Sequence, residues 1–448
     1  MTVLLGAAPS IIGPSDVGAW MAAKGAPGAA ALLDFATQKY GFRSAAGVPR
    51  WGSLAGDLTF SRASAAGRWP AAGPFEMVGS GEPAFDHDPA TREAIGLRLE
   101  GASSPITPGT TSFATAASWG SSFFPENVVP VASAFAPGEA AKHITHGTGS
   151  YGRYQTRTVT AGANYRMDVI LEKAGNPSAG SAFGLLSGSW LGLIFYNWLT
   201  NTLGAIGEAT SLIVEQLGTG PNGGQMVRVS AVINVGENTS VAVYVYPTGS
   251  SGASAGQECI LHYAALTPAT GAYAPYGSPV IVPVGGAQVR AADFLASPLF
   301  CTPSEAFTIS VRLRMPLHQN WTDSNTLFAI VPPSGIADRF SVSSYGPNGL
   351  VVGATYANAL VFSTAILTET LPDNYVTVSW SPEKKYRATC LGAPVTKIAA
   401  ATPPPGTLSR ITWGSRAGGG IWGGTIKRAA VWAHDDFSDD QLRELSAA

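Results

Sequence analysis

Carboxylates, histidines and aromatic rings are the side chains of this 448-residue sequence whose spacing could do chemistry, and each class points to a different reaction. Cleaving a sugar bond needs two carboxyl groups about 5–5.5 Å or about 6.5–9.5 Å apart. Asp86/Asp88 and Asp435/Asp436 are the candidate pairs. The first lies in an Asp-His-Asp-Pro turn, where Asp commonly accepts from its own backbone. The second stands just ahead of a helix start, where acidic groups favour the dipole. Both pairs have a sufficient structural cause, and neither is assigned a catalytic role. His143 and His146 are three apart in a loop or strand, with no Cys or Glu beside them, which makes a poor metal set. Gly418-Gly-Gly-Ile-Trp-Gly-Gly424 lacks the Lys-Ser/Thr of a phosphate loop and reads as a glycine-eased strand bend. No Gly-x-Ser-x-Gly elbow is present. The sequence thus assigns no catalytic residue, no metal and no cofactor.

Aromatic surface is what remains. Sugar rings lay C–H faces on aromatic rings and need hydroxyl or amide partners at the rim. The 11 Trp and 14 Tyr exceed what two sandwich cores ordinarily absorb, so some should face solvent or a neighbouring subunit. Tyr244 and Tyr246 alternate with Val241, Val243 and Val245, so they point away from the valine face. They lead the candidates for a sheet-face platform. Tyr151, Tyr154, Trp190, Tyr196 and Trp198 offer a similar mixture of rings and polar neighbours. Packing between modules is the competing explanation for each of them.

The elements that must position these rings are strands. Period-two runs cover Tyr165–Leu171, Val227–Ile233 and Val241–Val245, and Cys259, Leu261 and Tyr263 continue the pattern. Phe307–Met315 and Tyr375–Trp380 alternate in the same way, and Thr425–Trp432 supplies a closing strand. Gly, Pro, Asn and Ser clusters between the runs suit hairpins. Ser438-Asp-Asp-Gln441 has the form of a capping box and should start a short last helix. The Ala-rich piece Ala19–Thr37, broken by Gly25 and Pro27, suggests two short helices that need a partner surface. The aromatic and apolar residues Leu32–Phe35, Tyr40, Phe42 and Trp51 would either pack under the next domain or dock elsewhere.

Composition limits the partners. Charged residues are 12%, with 53 Gly and 32 Pro, a profile of short strands and tight turns. At 45% apolar and net charge −2 the chain is not of the disordered class. No Lys/Arg run is present, which argues against nucleic acid as the main partner. Phe183–Leu199 is the most apolar run, but Gly and Ser interrupt it and it is short for a membrane span. Cys259, Cys301 and Cys390 are too few and scattered for a disulfide framework, which suits folding in a reducing cytoplasm. The N-terminal residues lack a basic leading region and make a poor signal peptide.

Three ordered blocks, TFSRAS from Thr59, EPAFDHDP from Glu82 and GLRLE from Gly96, resemble the junction of phage tail-fibre and appendage proteins, including the head-spike fibres of phage-like gene transfer agents. TVTAGANYRMDVILEKAG resembles a strand pair of the jelly-roll carbohydrate-binding-like modules in such fibres. Arg290-Ala-Ala-Asp293 resembles the lead-in to their concanavalin-like domain, and FSDDQLRELSA resembles the tail of laminin-G-like and concanavalin-like domains. The expected fold is all-β, with two antiparallel β-sandwiches, jelly-roll and concanavalin-like, after a short N-terminal anchor with some helix. Residues 1–57 would anchor the chain, 58–100 form an extended junction, 101–278 a carbohydrate-binding-like jelly roll, and 279–448 a concanavalin/laminin-G-like sandwich.

The resemblance implies a virion fibre or spike, made in the bacterial cytoplasm and displayed on the particle surface. It would join a particle base protein through its N-terminus and bind capsular or other cell-surface polysaccharide. It would form a homo-oligomer, a trimer or alternatively a pentamer, with no nucleic-acid partner and no membrane insertion. A capsule-degrading glycosidase or lyase and a purely structural spike component are the rival functions.

Overall fold

The computed structural model describes residues 14–44, 46–62, 66–73, 76–88, 91–99, 107, 113, 119–122, 127–134, 140–144, 152–175, 180–249, 255–269, 293–314, 324–335, 337–345, 349–367, 373–400, 402–414 and 424–447. Four large antiparallel sheets and one two-stranded ribbon carry the fold, as the alternating runs require. Among the described residues, no helix is long and apolar enough to cross a membrane.

One sandwich faces two six-stranded sheets together. The first runs Asn127–Val131, Ala140–Ile144, Gln257–Pro268, Asn164–Gly175, Gln225–Asn234, Ala209–Thr219. Its outer face carries Arg166, Asp168 and Glu172, and it is called here the charged sheet. The second, the aromatic sheet, runs Thr202–Gly207, Ser189–Asn197, Gly180–Ser187, Ser240–Tyr246, Gly152–Thr158, Gly120–Ser122. Met167, Val169 and Leu171 from one sheet meet Phe183, Leu185, Val243 and Val245 from the other in a single core. Each such side chain, fully buried, contributes roughly 1.5–3 kcal/mol.

The other sandwich is built from both ends of the described chain. Its ten-stranded sheet runs Thr396–Ile398, Lys385–Cys390, Asp373–Ser381, Phe307–Arg314, Gly424–Trp432, Ala31–Asp34, Lys39–Arg43, Pro49–Gly52, with Ala94–Leu99 also on Gly424–Trp432 and Ala84–His87 beyond it. The opposing seven-stranded sheet runs Ala359–Leu367, Leu350–Tyr356, Arg339–Tyr345, Ser324–Val331, Arg410–Trp413, Phe294–Pro298, Thr59–Ser61. Leu33, Phe35, Tyr40 and Phe42 are buried in its core beside Ile309, Val311 and Val431.

This pairing corrects two expectations. Only the first of the two short helices forms, at Pro14–Ala23. Ala31–Asp34 is a strand with all four residues buried, because it lies between Gly424–Trp432 and Lys39–Arg43. Gly25 and Gly28, both at positive φ, end the helix and turn the chain into it. Leu32, Leu33, Phe35, Tyr40 and Phe42 therefore pack inside the molecule and do not form a free docking face. The strands within 1–57, expected as an anchor, belong to the sheets of the C-terminal sandwich, as do Thr59–Ser61, Ala84–His87 and Ala94–Leu99 within 58–100, expected as a thin junction. Ala66–Arg68 and Glu76–Val78 form the separate ribbon. The other sandwich is inserted between Leu99 and Asp293.

The helix Pro14–Ala23 finds its partner surface on the outside of the ten-stranded sheet. Val17 and Met21 pack on Leu32, Ala430 and Trp432. Trp432 donates from Nε1 to the Pro27 carbonyl at 3.0 Å, and Arg428 to the Lys24 carbonyl at 2.6 Å. The last helix, Asp439–Leu445, has the expected capping box: Ser438 Oγ accepts from Gln441 N and the Gln441 side chain accepts from Ser438 N. All three cysteines are free thiols, with Cys259 and Cys390 buried.

Phe294–Pro298, on which the chain returns from the inserted sandwich, pairs with Thr59–Ser61. Beside this pairing Arg62 and Asp293 form a fully buried bidentate ion pair. Arg62 Nε reaches Oδ1 at 3.0 Å and Nη2 reaches Oδ2 at 2.6 Å. The same guanidinium donates to the Arg98 carbonyl at 2.8 Å and to the Glu82 carbonyl at 3.3 Å. The TFSRAS block, the Glu82 block and the residue before Phe294 are thus held by one side chain.

Arg62→Ala strips Asp293 of its guanidinium inside the protein, and it is expected to lower stability by about 3–5 kcal/mol in urea unfolding. Loss below about 1 kcal/mol would show the clamp to be dispensable. Deleting residues 1–57 removes the strand beside Gly424–Trp432. The remaining fragment is expected to lose cooperative thermal unfolding of the C-terminal sandwich, read by near-ultraviolet circular dichroism.

Candidate functional site

Tyr154, Tyr244, Tyr246 and Trp190 converge on the outer face of the aromatic sheet. Val241, Val243 and Val245 fill the core, so the pleat turns Tyr244 and Tyr246 outward. Strand register then brings Tyr154 opposite Tyr244 on one side and Gly184 opposite it on the other. Gly120 lies opposite Tyr154. A Cβ on Gly120 would sit 2.8 Å from the Tyr154 ring, and one on Gly152 would sit 2.8 Å from Tyr246 Cδ1 and 2.1 Å from the Val245 carbonyl. These glycines make the floor on which the rings lie down.

Trp190 reaches the same face through an irregularity. Leu185 pairs with Gly192 but Leu186 pairs with Trp190, so Leu191 is an extra residue in its strand. The bulge reverses the alternation and turns Trp190 outward. Its ring centroid lies 5.6 Å from Tyr244 and 6.3 Å from Tyr246, edge-to-face. Tyr244 stacks on Tyr246 at 5.6 Å and 7°, and on Tyr154 at 5.5 Å and 20°. Tyr154, Tyr244 and Trp190 are half-buried, whereas Tyr246 is only 2% exposed and supports the others from below. Burial, with the neighbouring Tyr154, pushes the Tyr244 hydroxyl above its ordinary range, so it stays a neutral donor and acceptor. Thr156, exposed on the same face, adds a hydroxyl at the rim. The outward positions of these six strands, among the described residues, include no Asp, Glu, Lys or Arg.

The other expected site residues fall elsewhere. Tyr196 and Trp198 lie in the sandwich core, because Tyr196 shares the inward phase of Ile194. They meet edge-to-face at 4.9 Å, with Tyr196 OH donating to Asn201 Oδ1 at 2.8 Å and Trp198 Nε1 to Ser181 Oγ at 2.9 Å. They are corrected here from surface candidates to core residues. Tyr151, His146 and Gly418–Gly423 lie outside the described residues. His143 is buried in its strand. Among the described residues, no group of three or more His, Cys, Asp or Glu side chains is placed to hold a metal.

Each weighed carboxylate has structural partners. Asp86 accepts from Trp69 N at 2.7 Å and from Arg98 at 2.5 Å. Asp88 accepts from Thr91 N at 2.9 Å and lies 3.3 Å from Arg314. Asp435 is bound by Arg387 at 2.5 Å, and Asp436 stands 3.4 Å from His434. Asp86 lies in the strand Ala84–His87 and not in the expected turn, and its bond to Trp69 N fixes the backbone that lays Trp69 against Ile170, Met226 and Tyr263 on the charged sheet.

That sheet holds a cluster with no sequence signal beyond its residue types. Ile170 pairs with Tyr263 but Leu171 pairs with Leu261, leaving His262 as the extra residue. The bulge aims His262 at Glu172, with Nε2 2.7 Å from Oε2, and turns Tyr263 outward. Glu172 Oε1 accepts from Asn222 N and Gly224 N at 3.0 and 2.8 Å, and His262 Nδ1 accepts from Ala134 N at 3.2 Å. Both side chains are fully buried, so the cluster is a latch for the 132–134 and 220–224 segments.

No family model and no curated protein matches this chain. Among solved structures, it is similar to the CBM40 of the Ruminococcus gnavus IT-sialidase bound to α2,3-sialyllactose, at 18% identity over 32% of this chain and 83% of that one, with a TM-score of 0.26. It is also similar to the tandem CBM22-1–CBM22-2 of Paenibacillus barcinonensis Xyn10C, at 10% identity over 73% and 94%, TM-score 0.24. Trypanosoma rangeli sialidase with the inhibitor DANA gives 10% identity over 92% and 77%, TM-score 0.27. Identities and TM-scores this low assign neither a family nor a ligand.

The latch has a pH signature. Burial alone would raise the Glu172 carboxyl, but the His262, Asn222 and Gly224 hydrogen bonds outweigh it and hold the group below the usual range. Its stabilisation is therefore complete above the unfolded value, about 4.3, and drains away as pH falls below it. Glu172→Gln is expected to lower Tm at pH 7 and to converge on the parent protein at acid pH. A difference that is constant with pH would remove the carboxylate from this role.

Proposed function

We propose that this chain is a glycan-binding fibre or spike protein of a phage-like particle, and that the Tyr154/Tyr244/Trp190 face takes a neutral capsular or other cell-surface polysaccharide. The observation that carries the reading is an uncharged, glycine-floored aromatic cluster on an outer sheet face. The stacked tyrosines occupy one another's faces. A sugar would meet the ring edges and hydroxyls of Tyr154 and Tyr244, the indole of Trp190, and the Thr156 hydroxyl. The TFSRAS, EPAFDHDP and GLRLE blocks supply the particle context by resemblance alone. The base contact is proposed for the N-terminal end, where the half-buried Trp20 and Trp51 lie 4.9 Å apart. Weak single contacts suffice where many copies engage one repetitive polymer.

A second reading also has its own observation. Tyr244 already stacks on two neighbours, as in a face that packs between subunits of a purely structural spike. Adsorption of mutant particles to capsulated and capsule-free hosts separates the two. Trp190→Ala and Tyr244→Ala are each expected to weaken glycan binding by about 1 kcal/mol, roughly fivefold, while leaving the fold intact. Affinity should change less than about threefold between 50 and 200 mM salt, since no phosphate or sulfate contact is involved. Equal adsorption to both hosts, or unchanged binding in both variants, would sink the glycan reading and favour the structural one.

A further inference from the structure

Among the described residues, the edges of the four sheets are protected in different ways, Ala84–His87 for instance by Asp86 and a register shift, and one carries no such protection. Asn127–Val131 carries Pro130, Pro49–Gly52 carries Pro49 and Arg50, and Thr396–Ile398 carries Lys397. Ala209–Thr219 carries Glu215 and two register shifts, and Ala359–Leu367 has two register shifts against its neighbour. Thr59–Ser61 and Gly120–Ser122 are only three residues long. Proline, charge, bulges and shortness are the devices that keep an edge from pairing with another chain. Thr202–Gly207 has none of them. It is six residues long, uncharged, and in unbroken register with Ser189–Asn197. Five of its six residues are exposed, Ile206 at 51%, and Leu199 just before it is 77% exposed.

We propose that Thr202–Gly207 pairs antiparallel with the same strand of a second copy of this chain, joining two aromatic sheets into one across a two-fold axis. The absence of charge lets the strand meet itself without like-charge contact. The register is restricted by geometry. Leu203 packs towards the core while Ile206 points outward, and residues opposite one another in an antiparallel pair share a face. A two-fold normal to the sheet must therefore pass through a residue, Gly204 or Ala205, and not between residues. With Gly204 on the axis, Ile206 of each copy covers Thr202 of the other. A Cβ at Gly204 would meet nothing within 4 Å, so that position is open.

The two-fold keeps both aromatic faces on the same side. The strand bearing Tyr244 is fourth from this edge, so seven strand spacings separate the two clusters, about 34 Å along the sheet at roughly 4.8 Å each. The assembly is even-numbered, in place of the trimer or pentamer that the resemblance implies. A six-residue edge with two exposed leucine-type side chains is smaller than a standard interface, so association is weak and needs concentrated protein.

The test is light scattering of the full chain at roughly 100 μM, a concentration suited to a weak interface, without any glycan. The expected result is a dimer for the parent protein and a monomer for Ile206→Lys and Thr202→Lys, with Tm within a few degrees of the parent. In parallel, Gly204→Cys and Ala205→Cys are oxidised, with the parent as the control for its own three thiols. One of the two is expected to form a covalent dimer. A monomeric parent, an odd-numbered assembly, an oligomer unaffected by both lysine variants, or no cross-link at either position would each overturn the proposal. Because glycan is absent throughout, its failure leaves the polysaccharide reading standing, and the converse holds.

Discussion

The bidentate contact between Arg62 and Asp293 is the constraint around which the rest is arranged. It joins residues 231 apart in sequence, one at the end of Thr59–Ser61 and the other where the chain returns from the inserted sandwich. A carboxylate and a guanidinium buried together are tolerated only when each hydrogen-bonding position is used. Arg62 comes close to that condition by also binding the Arg98 and Glu82 carbonyls, which brings every one of its side-chain nitrogens into a hydrogen bond. One side chain therefore ties Thr59–Ser61, the returning strand and the hairpin Ala84–Leu99 to a common point. The inserted sandwich inherits a defined place of attachment from it, and Trp69, held by Asp86, supplies the apolar contact on the charged sheet.

Much of the fold was legible because period-two alternation dictates which face of a strand is buried. Asn164–Gly175, Gln225–Asn234, Phe307–Arg314 and Asp373–Ser381 all lie where the alternation put them, and the Ser438–Gln441 cap formed as its residue types require. What the alternation could not show is partnership at long range. Ala31–Asp34 reads as part of an Ala-rich helix until its neighbour, 400 residues away, is known. Bulges were equally hidden. One extra residue reverses every later side chain, so Tyr263 faces outward and Trp190 reaches the surface, against the simple pattern.

The candidate site shows the same division. Tyr244 and Tyr246 could be placed on the outer face from the valines between them, whereas only the strand register brings Tyr154, a separate candidate, beside them. Tyr196 and Trp198 could not be separated from them by residue type, since a core aromatic with a hydroxyl or indole partner looks alike in sequence. The signal that was present and overlooked is glycine within strands. Gly120 and Gly152 stand beside the rings, where a side chain would press on Tyr154 and Tyr246. Aromatics flanked by cross-strand glycines mark a surface cluster better than aromatics alone.

The insertion topology has a consequence for how the chain is made. During synthesis the inserted sandwich is complete once Gln257–Pro268 has emerged, and its strands need nothing that comes later. Ala31–Asp34 must wait for Lys427–Val431, whose backbone it pairs with or lies beside. At about 5–20 residues per second that delay is on the order of 20–80 s. Throughout it, Leu32, Leu33, Phe35 and Phe42 have only the local hairpin Ala31–Arg43 and lack the C-terminal strands they are buried against. In a chain built in this order, the apolar surface of Ala31–Arg43 is left open to aggregation for longer than that of the inserted sandwich, whose strands close on one another first.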